Sequence, residues 1–288
     1  MQQHSQERTH MQRNLWRHPV LIGKKAVGRL RRRFAKIPDT AIIGTINGSV
    51  RFEHQWLNFL HEDDFRAMLT QSYDIILCEY LRKHLSPGDI VLDVGANVGY
   101  VSAVAASYVG TSGEVHGFEP LRECYARLER LRELNPEFNL VFRNVALGEA
   151  EGLLPIAFNL QGDSRNASLV SGKEAAESRD VLVWRLDDYI FRSIPTPERI
   201  RIIKIDVEGF EYAVLRGLNR FLAGTPNRPW IVCEIKPWEV CNLGATLSEF
   251  EQFMNKYGYR TYLITDEDNP VRLSALTEME VVVFRTYG

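Results

Sequence analysis

Between Asp93 and Gly99 the chain reads Asp93-Val94-Gly95-Ala96-Asn97-Val98-Gly99, and Phe118-Glu119-Pro120 places an acid 24 residues beyond Gly95. An apolar run, a glycine-interrupted turn, a helical stretch and a second strand ending in an acid make a βαβ nucleotide-binding unit. Gly95 and Gly99 are expected to leave room for a ligand at the backbone, where a side chain would block it. Glu119 stands about where an acid at the end of the second strand grips both hydroxyls of an adenosine ribose. The spacing separates two cofactors. A dinucleotide fold uses G-x-G-x-x-G to bring a pyrophosphate onto a helix N-terminus; here Asn97 holds the middle position and no third glycine follows. Asp93, inside the loop, would repel a pyrophosphate but can accept a hydrogen bond from an amino-acid ammonium. The combination points to S-adenosylmethionine.

A second stretch with chemistry in it is Ile202-Ile203-Lys204-Ile205-Asp206-Val207-Glu208-Gly209-Phe210-Glu211. A buried strand there is expected to end in two carboxylates two residues apart, which turns both the same way. Gly209 then allows a sharp exit into a helix. The plainer alternative is helix-terminus electrostatics, with Glu208 and Glu211 favouring the macrodipole. Asn144-Val145-Ala146 falls at the end of another strand and is expected to border the adenine, where a side-chain amide or a backbone N–H reads its edge.

These residues need a scaffold that collects strand ends. From Asp89 onward the pattern is regular: strands over Ile90–Val94, Glu114–Phe118 and Leu140–Arg143 alternate with helices over Tyr100–Tyr108 and Leu121–Leu134. Strands at Leu153–Phe158 and Val181–Trp184 interrupt the alternation. It resumes with a strand over Ile200–Val207, a helix over Glu211–Leu222, a strand over Trp230–Glu234 and a helix over Leu247–Tyr257. Tyr259–Ile264 and Val281–Phe284 form a closing antiparallel pair. Strand alternating with helix implies a mostly parallel α/β sheet covered on both faces, with ligands outside the carboxyl ends of its strands. Upstream, residues 41–53 read as a β-hairpin turning at Asn47-Gly48, and residues 62–85 as a helix ended by Ser86-Pro87-Gly88. Three parts follow: a basic, helical extension over 1–40, a hairpin and helix over 41–88, and a cofactor-binding domain over 89–288.

The 288 residues are 45% apolar, enough for a substantial core and incompatible with global disorder. No run of 18 apolar residues occurs, and the polar start has no secretory-signal pattern. Cys78, Cys124, Cys233 and Cys241 form no C-x-x-C pair and read as reduced, buried thiols of a cytoplasmic protein. The net charge of −2 hides an asymmetry: residues 1–36 hold ten of the 35 basic residues and one of the 37 acids. Pro19 and the three- and four-residue spacing of Val20, Gly23, Val27, Leu30 and Phe34 make this segment a basic amphipathic helix. Three partners compete for it. The protein's own acidic body is favoured, then an anionic membrane surface at the inner face, giving peripheral contact through residues 1–36. Nucleic acid comes last, since no aromatic platform or reading motif accompanies the charge.

Taken in order, the segments resemble the FkbM family of S-adenosylmethionine-dependent methyltransferases. The matching pieces are Val91–Gly99, Phe118-Glu119-Pro120, Asn144-Val145-Ala146-Leu147-Gly148, Ala167-Ser168-Leu169, Arg185-Leu186-Asp187-Asp188-Tyr189, Lys204–Glu211 and Cys233-Glu234-Ile235, over roughly residues 75–285. The resemblance implies a class I methyltransferase (Rossmann-like) fold with a mostly parallel seven-stranded sheet. It also implies O-methylation of a hydroxyl on a sugar, glycan or small metabolite. Two alternatives stand beside it. One is a non-catalytic cofactor-binding protein recruited to a membrane or partner by its basic N-terminus, against which the acids at Asp206 and Glu208 argue. The other is a nucleic-acid methyltransferase, which would carry N/D-P-P-Y/F where Asp206-Val207-Glu208-Gly209 stands. Residues 1–70 carry no motif of the family.

The mechanism so implied is an in-line displacement, in which the protein chiefly positions an acceptor oxygen opposite the leaving sulfur. Asp206 is the expected general base, from its place at the fourth strand's end, with Glu208 second and Glu234 a neighbour across the sheet. A competing role for these three acids is to hold Mg²⁺, which would lower the acceptor hydroxyl's pKa. The seven histidines show no metal-ligand spacing. Lys204 is expected to pair with a nearby acid. Ser168 is a candidate contact to cofactor or substrate, against the plainer reading of a turn hydroxyl bonded to its own backbone. The segment from Gly152 to Ser178 is expected to help select the acceptor.

Overall fold

The computed structural model describes residues 40–45, 48–53, 67–68, 73–158, 177–225 and 228–286. The basic segment 1–36 and Ser168 lie outside them, so the readings placed on these residues are not addressed by the structure.

Strands β1 (Thr40–Thr45) and β2 (Gly48–Glu53) form the upstream hairpin; Thr45 pairs with Gly48, so the connection is residues 46–47, one position earlier than expected. Helix α1 (Ile75–His84) starts after Asp74, a left-handed residue at φ 42°, which separates it from the residues before it. The core follows as β3 (Ile90–Val94), α2 (Tyr100–Val109), β4 (Glu114–Phe118), α3 (Arg122–Leu134), β5 (Asn139–Arg143), β6 (Ala146–Leu147), β7 (Gly152–Phe158), β8 (Glu177–Trp184) and α4 (Leu186–Ser193). It continues with β9 (Ile200–Ile205), α5 (Glu211–Arg216), α6 (Asn219–Gly224), β10 (Trp230–Ile235), α7 (Pro237–Asn242), α8 (Leu247–Lys256), β11 (Tyr259–Leu263), β12 (Asp266–Val271) and β13 (Glu280–Thr286).

The main sheet runs β12-β11-β13-β10-β9-β3-β4-β5. The strands from β10 to β5 are parallel, and β13 slots antiparallel between β10 and β11. This is the class I methyltransferase sheet, with eight strands rather than the expected seven. The addition is β12, an edge strand whose mostly exposed Asp266-Glu267-Asp268-Asn269-Pro270-Val271 has no apolar alternation to announce it. Pro270 is tolerated there because an edge strand has a free side.

Side chains alternate between two cores. Val91, Ile202, Val232 and Val283 face the layer of α1, α2 and α3, together with Val50 and Phe52 of the upstream hairpin. Ile90, Leu92, Val94, Ile203, Ile205, Ile231, Cys233 and Phe284 face the opposite layer with α4, α5, α6 and α8. The expected helix over Glu211–Leu222 is two short helices. Gly217 lies so close to the backbone carbonyl of Gly148 that a Cβ there would collide with it, and the chain breaks its helix to make that approach. Strands β6, β7 and β8 form a separate three-stranded sheet. Cys124 and Cys233 are buried and Cys78 partly so, but Cys241, on α7, is exposed and departs from the buried-thiol expectation. Among the described residues, no helix is long and apolar enough to cross a membrane.

Candidate active site

The carboxyl ends of β3, β4, β9 and β10 meet at one edge of the sheet, and most of the residues singled out above lie there. Gly95, Asn97 and Gly99 are all left-handed, at φ 75°, 50° and 86°. That conformation costs a glycine little and turns the chain sharply off β3. The amides of Gly95 and Ala96 both donate to the carbonyl of Phe118, at 3.0 Å. In this structure the space left by the missing side chains is filled by protein. A Cβ on Gly95 would collide with the backbone carbonyl of Asp206, and one on Gly99 would lie 2.8 Å from Leu128 Cδ2. Their lack of a side chain serves close approach of the protein to itself.

Glu119 is buried and bridges two loops. Its Oε2 accepts from the Asn97 amide at 2.9 Å and its Oε1 from the Leu121 amide at 2.8 Å. Burial pushes its pKa up to about 7, against the opposing pull of those two amides and of Lys204. A carboxylate has about four acceptor positions, so each oxygen keeps one for a ribose hydroxyl. Asn144 differs from expectation. Its Nδ2 donates to the carbonyls of Glu119 and Pro120, both at 2.9 Å, so the amide ties the β4 and β5 ends together rather than presenting those hydrogens to an adenine. Val145 and Ala146 are buried beside it.

Asp93 is fully buried and both of its oxygens face protein partners. Ser102 donates to Oδ2 at 2.6 Å, and Lys204 Nζ lies 3.2 Å from Oδ1. The Lys204 ammonium also donates to the Gly95 carbonyl at 2.8 Å and lies 3.7 Å from Asp206 Oδ2. Burial works against that ammonium, but Asp93 and Asp206 outweigh it and raise the Lys204 pKa. Pairing with acids is thus where Lys204 ends up.

Strand β9 stops at Ile205, so Asp206 and Glu208 do not share a face by strand alternation. Asp206 instead bonds its amide to the Val94 carbonyl at 3.1 Å, against the β3 loop, with its side chain 37% exposed. Glu208 is left-handed at φ 53° and its Oε2 lies 2.5 Å from Lys236 Nζ. The same ammonium is 3.0 Å from Glu234 Oε1. Burial raises the Glu208 pKa well above its ordinary value, Asp206 and Glu234 add to the rise, and Lys236 opposes it. Burial and Asp206 push Glu234 up to about 7, again against Lys236. Glu211 is buried, and its Oε1 accepts from the amides of Val207 and Gly209, both at 3.1 Å. It clamps the turn that carries Glu208.

Three participants escaped the sequence. Lys236 lies two residues past Glu234, between the end of β10 and Pro237, and that spacing was its only signal. Glu211 was legible as an acid at a helix start but not as a loop clamp. Ser102, inside an apolar helix, carried no signal.

The strand order, the left-handed loop off β3 and the acid at the end of β4 define a class I methyltransferase. The FkbM methyltransferase domain matches residues 93–261, and the chain belongs to that family. It therefore carries an S-adenosylmethionine-dependent methyltransferase domain. Methyltransferase sdnD of Sordaria araneosa is 30% identical over 163 residues, which cover 47% of this chain and 62% of the relative, less than two thirds of its length. Methyltransferase 1 of Beauveria bassiana (strain ARSEF 2860) is 23% identical over 180 residues, 57% of this chain and 68% of the relative. Among solved structures, the FkbM methyltransferase of Methylobacillus flagellatus KT aligns over 79% of this chain and 56% of its own, at 16% identity and a TM-score of 0.40.

Proposed function

We propose that this chain transfers a methyl group from S-adenosylmethionine to a hydroxyl of a sugar, glycan or small metabolite. The observation that carries this reading is the convergence of Asp206, Glu208 and Glu234 beside the β3 loop. Against these three carboxylates stand Lys204, shared with Asp93, and Lys236. That balance suits a neutral hydroxyl acceptor and disfavours the phosphates of nucleic acid.

Bound S-adenosylmethionine supplies a methyl activated by its sulfonium. Glu119 offers its remaining acceptor positions to the ribose hydroxyls. Asp93 acts through Lys204, which holds the Gly95 carbonyl and thereby the loop from Gly95 to Gly99. Ala96, Asn97, Pro120, Asn144, Val145 and Ala146 shape the wall on the adenosine side. Asp206, the most accessible of the three acids, takes the proton of the acceptor hydroxyl as its oxygen closes on the methyl carbon and the carbon–sulfur bond breaks. Such general-base help is worth roughly 10²–10⁴-fold. We place the protein in the cytoplasm, with residues 1–36 as the part that meets its own acidic body or an anionic membrane surface.

The test is methyl transfer from labelled S-adenosylmethionine to a panel of glycans and hydroxylated metabolites. Label on a hydroxyl, lost in Asp206→Asn while S-adenosylhomocysteine still binds, is the expected result. An Asp206→Asn protein with normal binding and full turnover removes the base assignment.

A further inference from the structure

The Mg²⁺ role considered for Asp206, Glu208 and Glu234 meets an obstacle in the site itself. The place between Glu208 and Glu234 holds the Lys236 ammonium, 2.5 Å from one carboxylate and 3.0 Å from the other. Magnesium demands near-octahedral oxygen ligands at about 2.0–2.1 Å. An ammonium seated on two of the three carboxylates takes up those oxygens and repels a second cation. Among the described residues, no group of three or more His, Cys, Asp or Glu side chains is arranged to hold a metal ion.

Lys236 is also built into its position. It is buried, and it is the residue before α7, whose first position is Pro237. The residue before a proline is confined to extended conformations, so Lys236 has little backbone freedom. The backbones of its two carboxylate partners are held by other means. Glu234 is on β10 and pairs with Val281 of β13, one residue past the last β10–β9 pair at Cys233. Glu208 sits on a turn clamped by Glu211, with Gly209 so close to Glu239 that a Cβ would lie 2.7 Å from that residue's Cβ. The backbones that carry the two acids are therefore fixed by contacts other than the lysine, while the carboxylate groups themselves meet at its ammonium.

We propose that Lys236 is the resident counter-cation of Glu208 and Glu234, filling the place a divalent ion would otherwise take. It is a positioning residue that keeps both carboxylates fixed at the acceptor side without metal. This rests on the reading of these acids as the acceptor end of a methyltransferase site.

The experiment is calorimetric titration of the full chain with Mn²⁺ alone, on the unaltered protein, Lys236→Met, Lys236→Arg, Glu208→Gln and the Lys236→Met/Glu208→Gln double variant. S-adenosylhomocysteine binding is measured on the same samples. Failure to bind it strikes the cofactor reading, while the Mn²⁺ comparison still reads the role of Lys236. The expected result is no Mn²⁺ affinity dependent on Glu208 in the unaltered protein and in Lys236→Arg. Lys236→Met should bind Mn²⁺ at least about tenfold more tightly, and the double variant should lose the gain. A lysine serving only to fill space would give no such gain and no rescue by arginine. Two results overturn the proposal: Lys236→Met that gains no Mn²⁺ affinity, or unaltered protein whose Mn²⁺ binding disappears in Glu208→Gln. The second readout needs no lysine variant to fold.

Discussion

Lys204 and Asp93 are register partners on the adjacent parallel strands β9 and β3, and the Lys204 ammonium stands 3.2 Å from the Asp93 carboxylate. The pair is buried, and the same ammonium holds the Gly95 carbonyl. Stability and the shape of the loop after β3 thus hang on one cation. Removing one partner of a buried pair leaves the other charge uncompensated, at a cost of roughly 3–5 kcal/mol. Lys204→Met should lose about that much in urea denaturation and bind S-adenosylhomocysteine more weakly. A loss below about 1 kcal/mol, the level of an exposed pair, would show that the interaction holds nothing.

The two loop glycines should differ in sensitivity. Gly95→Ala drives a Cβ into the backbone of Asp206, which cannot move without shifting β9. Gly99→Ala meets the ends of Leu128 and Leu131, which can give. Both carry left-handed strain of roughly 1–2 kcal/mol. Gly95→Ala should cost clearly more in denaturation and should nearly abolish S-adenosylhomocysteine binding. Equal effects at the two positions would contradict the packing explanation.

Asn144→Ala removes two hydrogen bonds that join the β4 and β5 ends. It should cost about 1–3 kcal/mol of stability and weaken S-adenosylhomocysteine without changing discrimination between the adenine form and its hypoxanthine analogue. A selective loss of adenine preference would restore Asn144 as a base-reading residue.

The buried acids give the fold a pH signature. Glu119 and Glu211 have folded pKa values of about 7, raised by burial from the ordinary 4.5. Between those values the folded protein binds protons that the unfolded chain does not. Their contribution is therefore fully present below about pH 4.5 and lost as pH rises through about 7. His116, lowered by burial, pulls the other way. The clean readout is the difference between the unaltered protein and Glu211→Gln. Stability of the unaltered protein relative to the variant should fall from pH 5 to pH 8, as measured by denaturant titration across that range. A flat difference would mean that Glu211 is not held protonated by burial.

The parallel strands were legible because buried strands are short apolar runs bounded by turn residues, and Ile90–Val94 and Glu114–Phe118 end where the residues indicate. The loop glycines and the acids at strand ends were legible for the same local reason. What stayed hidden depends on partners distant in sequence. Nothing near Gly95 announces that its missing side chain makes way for Asp206, and nothing near Gly217 announces the carbonyl of Gly148. Asp206 and Glu208 read as alternate residues of a strand, but β9 stops at Ile205 and a left-handed Glu208 reaches Lys236 instead. The edge strand β12 was missed because its polar residues need no alternation on an exposed edge.

The most direct measurement for the central claim is calorimetric binding of S-adenosylhomocysteine to the purified full chain, beside NADH and with and without Mg²⁺. The account predicts micromolar affinity, within the ordinary range for a small ligand, for S-adenosylhomocysteine alone, unchanged by Mg²⁺. A well-folded sample that binds NADH, or neither ligand, would contradict it, and the roles assigned to Glu119 and Asp206 would fall with it.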